Sequence, residues 1–253
     1  SFNYHPNQNQ WNHLTLQQVN GVGLKLYVNG LYYQTTSNSP NLEVNTDFFL
    51  AKFGLGQDRY LNGNLDDVHI WNKSLSQSEI QNYMNCPPSG TEDGLVGYWN
   101  FNEGSGDTVY DISGNNNHGV VYGGATYSED VPEHNCDVNT DIETIEEEQQ
   151  NYSMSFDGVD DWIDVGFINE MNAHESHTFL FYTKNLEAPC GYGNIISESG
   201  PPTHTQMLHY GFRGCENNCP EGNCIGMDYY SNGLFSPTHY GCLLYTSDAA
   251  DDV

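Results

Sequence analysis

Short apolar stretches of alternating pattern, separated by Asn- and Gly-rich turns, recur along most of this chain. A period of two buries one face of a strand, so it restricts the chain to antiparallel β architecture. The clearest case is LKLYVNGLYYQT, where Asn29-Gly30 separates two strand-like stretches. Asn-Gly accepts positive φ at both central positions, which predicts a type I′ hairpin. Upstream, Trp11 to Gln18 alternates His13, Thr15 and Gln17 with Leu14 and Leu16, as a half-buried strand should. Leu65 to Trp71 reads as another strand, followed by LVGYWNF, DTVYDI and HGVVYGGATY between Asn/Gly/Ser turns. SMSFDGVDDWIDVG and HTFLFYTK resume the pattern after residue 150. One short helix is predicted: Ser76-Gln77-Ser78-Glu79 is a capping box, Ile80 and Met84 follow, and Cys86-Pro87-Pro88 ends it. Many short strands and little helix imply a β-sandwich or barrel. Leu14, Leu16, Leu26, Val28, Val68, Ile70, Trp99, Phe101, Phe156, Ile163, Phe179 and Phe181 are the expected core. Burial of each contributes about 1.5–3 kcal/mol before entropy is counted.

Charge narrows the partners. Asp plus Glu number 34 and Lys plus Arg number 6, a formal net charge of -28. A nucleic-acid binder must replace phosphate counterions with its own cations, so nucleic acid is excluded as a partner, and anionic membrane surfaces are disfavoured likewise. Aromatics make up 13% of the chain, which argues against disorder despite the charge. No apolar run is long enough to span a bilayer, so no membrane insertion is expected. Seven cysteines favour disulfides in an oxidising compartment over zinc, because Cys215, Cys219 and Cys224 lack the paired spacing of a zinc ribbon.

Two stretches break the strand pattern. Residues 137–150 (DVNTDIETIEEEQQ) hold six acids and no Gly or aromatic, as a solvated linker does. Residues 242–253 (CLLYTSDAADDV) resemble the translated end of a sequencing adapter and are set apart as an expected artefactual tail. The alternative is a terminal strand with an acidic tail.

Three stretches then carry a resemblance. LYVNG followed by LNGNLDDVHIWNKSLSQSEI resembles the C-terminal half of laminin-G-like (concanavalin A-like, jelly-roll) modules of secreted bacterial surface proteins. GLVGYWNFNEGSGDTVYDISGNNNHGVVYGGATYSEDVP resembles a segment found beside such modules, and NYSMSFDGVDDWIDVG with HTFLFYTK resembles a module's N-terminal half. The resemblance implies an all-β, antiparallel jelly-roll β-sandwich. It also implies that the late half precedes the early half here. The expected division is 1–136 (C-terminal half plus appendix), the 137–150 linker and 151–241 (N-terminal half of a second module), within a fragment of a larger protein. The strands of the two halves are complementary, so they are expected to dock as one circularly permuted sandwich. On this reading Cys86 and Cys136 pair by a disulfide that closes residues 86–136 as an appendix. The alternative assigns Gly94 onward to the second module. Cys190, Cys215, Cys219 and Cys224 pair among themselves in one of three connectivities.

No catalytic set stands out. Glycanases of this fold carry an E-x-D-x-x-E-like strand, and none is present; Asp66 and Asp67 are adjacent, so alternation sends them to opposite faces. The chain is therefore expected not to be an enzyme. Calcium is the expected cofactor. Asp111, Asn115 and Asn117 gather oxygens in a tight turn that Asp66 or Asp67 could complete, against the reading that Asn and Gly serve turn geometry. Asp157, Asp160 and Asp161 form a second, weaker set. His174, His177, His204 and His209 show no ligand spacing. Tyr32, Tyr33, Tyr229 and Tyr230 form adjacent pairs, so one of each pair should face outward as a candidate sugar-stacking surface, against edge-strand packing. The resemblance implies a secreted or cell-surface binding and adhesion module for glycan or protein ligands. Its alternatives are an accessory carbohydrate-binding module of a polysaccharide-degrading enzyme, or a structural spacer.

Overall fold

A computed structural model describes residues 9–36, 47–52, 60–136, 150–169 and 176–184, together with Tyr4, Asn7, Met171 and residues 195–197. Beyond these, Asn185 and the strands from Tyr192 onward are described by their backbone. The expected tail, most of the linker, Tyr229, and the side chains of Tyr230 and of the cysteines after Cys136 lie outside the described residues. So do the side chains of His174, His204 and His209. Among the described residues, no helix is long and apolar enough to cross a membrane.

The N-terminal strands are β1 (Asn12–Val19), β2 (Gly23–Val28), β3 (Leu31–Thr36), β4 (Asp47–Leu50) and β5 (Asn62–Trp71). Helix α1 (Gln77–Asn85) follows, then β6 (Leu95–Trp99), β7 (Thr108–Val109), β8 (Gly119–Tyr122) and β9 (Thr126–Ser128). The chain continues with β10 (Ser153–Asp157), β11 (Trp162–Phe167), β12 (His177–Asn185), β13 (Tyr192–Ser199), β14 (Gln206–Met207), β15 (His209–Arg213), β16 (Cys224–Met227) and β17 (Tyr230–Ser231).

Two large antiparallel sheets result, and β14 pairs with β17 in a separate two-stranded one. The eight-stranded sheet runs β3-β2-β1-β12-β5-β10-β9, with β6 also paired to β5; the seven-stranded sheet runs β16-β15-β13-β4-β11-β8-β7. Strands from the two ends of the chain interleave. β12 lies between β1 and β5, with Leu16 opposite Phe179 and Phe179 opposite Ile70. β4 lies between β11 and β13, with Leu50 opposite both Ile163 and Ile196. Strands from both ends of the chain thus share both sheets and form one sandwich. The apolar core lies between the sheets and holds eleven of the twelve residues expected there, with Val28 partly buried at its margin.

The local signals explain the elements. Asn29 (φ 47°) and Gly30 (φ 72°) make the β2–β3 turn, closed by Val28 opposite Leu31. A Cβ on Gly30 would lie 2.9 Å from Gln81 Cγ, so helix α1 packs close over this turn. The Ser76 hydroxyl accepts from the Glu79 amide, and the Glu79 carboxylate accepts from the Ser76 amide at 2.7 Å. Ile80 is fully buried. Cys86 and Cys136 form a disulfide across a separation of 50 residues.

Candidate functional site

The two sheets differ on their outer faces. On the eight-stranded sheet that face is covered. β1 alternates as predicted, but His13, Thr15 and Gln17 are buried as fully as Leu14 and Leu16. The expectation of a half-buried strand is corrected because helix α1 lies over this face. Leu75 and Ile80 cluster there with Tyr27, Trp71, Leu95, Tyr98 and Leu180. Gln17 Nε2 donates to the Leu75 carbonyl at 2.7 Å, and Tyr182 Oη donates to the Met84 carbonyl at 2.7 Å. Residues 130–136 add a strap: Asn135 N donates to the Asn85 carbonyl, and Asp130 accepts from Trp11 Nε1 and pairs with Lys184.

Beneath this cover, Asp66 and Asp67 share one face, correcting their expected placement on opposite faces. Asp67 adopts positive φ (46°), and the register with β12 shifts there. This β-bulge falls where the partner of β5 changes from β10 to β6, and an inserted residue resets the alternation. Asp67 accepts from Tyr98 Oη at 2.8 Å and contacts His134 Nε2 at 2.7 Å. Burial, then the neighbouring Asp67 charge, pushes the Asp66 carboxyl well above the usual carboxylate range. Burial pushes His13 down to about 3 and His69 down to about 4. Burial opposes protonation of His134 too, but the hydrogen bond and charge of Asp67 raise it overall. Asp66, Asp67, His13 and His69 are buried and His134 is partly exposed, which suits an internal network.

Asp111, Asn115 and Asn117 meet in one turn, whose hydrogen bonds are internal. Asp111 Oδ1 accepts the amides of Tyr98 and Ser113, and Oδ2 accepts that of Asn117, each at 2.9 Å. Asn115 and Asn117 turn their Nδ2 groups to the Val96 carbonyl. Three amides aimed at one carboxylate, with side-chain N–H groups beside it, stabilise a turn and offer a cation little. Tyr98 also stands between the two acid sites, its amide on Asp111 and its hydroxyl on Asp67. Asp157, Asp160 and Asp161 do converge, with carboxylate oxygens within 4.8 Å of one another. Asp161 is itself held by the amides of Asp157 and Gly124.

The outer face of the seven-stranded sheet carries a different chemistry. In β11, Ile163 and Val165 point into the core, so Trp162 and Asp164 point out. In β8, Gly119 and Val121 face inward and Val120 and Tyr122 outward. Trp162 is opposite Tyr122, and Asp164 is opposite Phe49 of β4. The Trp162 and Tyr122 rings stack with centroids 4.4 Å apart and 14° between planes. Phe49 meets Trp162 edge-on at 5.0 Å, and Lys52 Nζ lies 3.6 Å from the Trp162 ring centroid. Tyr122 remains 45% exposed, and Val120 and Phe167 are each 41% exposed. The converged acids adjoin this stack: a Cβ at Gly123 would lie 2.3 Å from the Asp160 carbonyl, so the turn after Tyr122 seats directly against the turn before Trp162. The sequence reading missed this platform. Its only trace is the outward alternation of Val120/Tyr122 and Trp162/Asp164 in strands far apart along the chain.

Tyr32 and Tyr33 are both exposed, at 51% and 44%, rather than one inward and one outward. β3 is the end strand of its sheet, and a register shift opposite Leu26 and Tyr27 disrupts its alternation. Tyr32 packs edge-on against Tyr27, and Tyr33 against Tyr4.

No curated protein and no solved structure matches the chain significantly. Residues 2–81 match the family described as the concanavalin A-like lectin/glucanases superfamily, and the all-β antiparallel sandwich is consistent with a laminin-G-like, concanavalin A-like module.

Proposed function

We propose that the chain is a non-catalytic binding module that recognises glycans through the outer face of its seven-stranded sheet. The observation that carries this reading is the Tyr122–Trp162 stack, in which the exposed Tyr122 ring lies on a half-buried Trp162 whose other face is covered by Lys52, with Asp164 beside it. Aromatic faces pack against the C–H faces of sugar rings, while a carboxylate and an ammonium exchange hydrogen bonds with hydroxyl groups. The lectin/glucanase type of the matched family supports the same reading. The non-catalytic part rests on the acids themselves. Asp66 and Asp67 are buried under the helix and strap, and Asp161 is occupied by backbone amides. Secretion or surface display fits the Cys86–Cys136 disulfide, since such bonds persist in oxidising compartments. Adhesion to a glycan-bearing surface and service as an accessory module of a glycan-degrading enzyme both use this same face.

Calcium would suit Asp157, Asp160 and Asp161 better than the Asp111 turn. Hard cations take clustered oxygens, and two of these three acids are exposed. A structural role there would brace the turn against Gly123 and Gly124. A higher melting temperature in calcium than in chelator, abolished by Asp160→Asn, supports that role; equal melting temperatures refute it. For the binding reading, a glycan array probed with the full chain and with Trp162→Ala is the test. Binding by the parent and its loss in the variant is the expected result, whereas no binding by the parent, or equal binding by both, refutes it.

A further inference from the structure

We infer that the ligand of this face is an uncharged glycan, and that the surface selects against uronic-acid or sulfated polymers. The inference rests on the glycan reading above and adds the ligand's charge class. Binding a polyanion requires cations free to displace its counterions. The chain holds 6 Lys and Arg against 34 Asp and Glu, so its overall field repels polyanions. The local arrangement points the same way. Lys52 is the cation at the platform among the described residues, and it is already engaged, resting on the Trp162 ring with Phe49 also within reach at 5.2 Å. Asp164 lies close enough to act on its charge.

The other charged groups at the face, among the described residues, are carboxylates. Asp164 faces outward beside the platform, and Asp157 and Asp160 are exposed at its rim. A carboxylate accepts strong hydrogen bonds from hydroxyl donors and repels a carboxylate or sulfate at the same place. An aromatic stack ringed by acids therefore matches a polymer rich in hydroxyls and free of charge.

Affinity electrophoresis of the full chain in gels cast with paired polymers tests this. The pairs have related backbones and differ in charge, hydroxyethylcellulose and carboxymethylcellulose sharing theirs outright: mannan with alginate, hydroxyethylcellulose with carboxymethylcellulose, and agarose with carrageenan. The expected result is retardation by at least one neutral member, with at least about tenfold weaker retardation by its charged partner. Trp162→Ala abolishes the retardation. Asp164→Asn weakens binding to the neutral member and narrows the gap between partners. Stronger retardation by a charged member, relieved by salt and lost in Lys52→Gln, overturns the charge assignment while leaving glycan binding intact. Retardation that survives Trp162→Ala overturns the platform as the site. Absence of retardation by every polymer overturns the glycan reading and the inference with it.

Discussion

The two sheets of this sandwich present outer faces built on opposite principles. The face of the eight-stranded sheet is roofed by α1 and a disulfide-anchored strap, and its polar residues are sealed inside. The face of the seven-stranded sheet leaves Val120, Tyr122 and Phe167 open beside a stacked Trp162. Acids and histidines gather under the roof, where chemistry would be sought first, yet their enclosure fits an internal network. The open face carries exposed aromatic and aliphatic side chains with a group of acids at its rim. Exposure, more than residue type, separates structure from function here.

If the roof is structural, removing its clamp should cost stability and spare binding. Replacing Cys86 and Cys136 with Ser reopens a loop of 50 residues and should destabilise by about 4 kcal/mol in urea titrations, with glycan retardation unchanged wherever the variant is folded. A small change in urea midpoint would break the contrast. The open face should behave the opposite way. Trp162→Ala should weaken binding at least about tenfold, roughly 1.4 kcal/mol, and the weakening should persist where the variant is as fully folded as the parent.

The sealed groups also give the roof a pH signature. His13 and His69 have folded pKa values of about 3 and about 4, below the ordinary value near 6.5. The unfolded chain therefore binds their protons first, and stability falls as pH drops below about 6.5. Asp66 is shifted up, so it acts oppositely above its ordinary value and partly offsets the histidines. The net effect should be a loss of stability as pH falls from about 6 to 5. His134 is raised by Asp67, so its contribution is present below its ordinary value and is lost as pH rises through the folded value. Melting temperatures measured from pH 8 to 5 should therefore peak near neutrality, and His69→Leu should flatten the acid limb. A flat profile in the parent would contradict the sealed network. Smaller effects follow at the edges. Ser76→Ala removes the helix cap and should cost about 1 kcal/mol by chemical denaturation. Tyr33→Ala, on the end strand away from both faces, should change stability by less than about 0.5 kcal/mol and leave retardation intact.

Local signals were legible in the residues. Asn29-Gly30, the Ser76–Glu79 box and the alternating core positions each depend on neighbours a few residues away, so the chain announces them directly. Strand complementarity also foretold that the two ends would share one sandwich. What escaped depends on register between distant segments. The Asp67 bulge arises where β5 changes partner, and no local pattern marks that change. The roof over β1 comes from α1 and the strap, which made His13 and Gln17 read as solvent-facing. The Tyr122–Trp162 stack joins β8 to β11 across forty residues, and single-strand alternation cannot say which outward residues meet.

Hydrogen–deuterium exchange of the full chain, with and without manno-, cello- and agaro-oligosaccharides, tests the central claim most directly. The account predicts new protection in peptides spanning residues 119–124 and 160–167, with residues 77–85 and 129–136 unchanged. Protection confined to the β2–β3 edge or to the strap, with the open face unaltered, would contradict it.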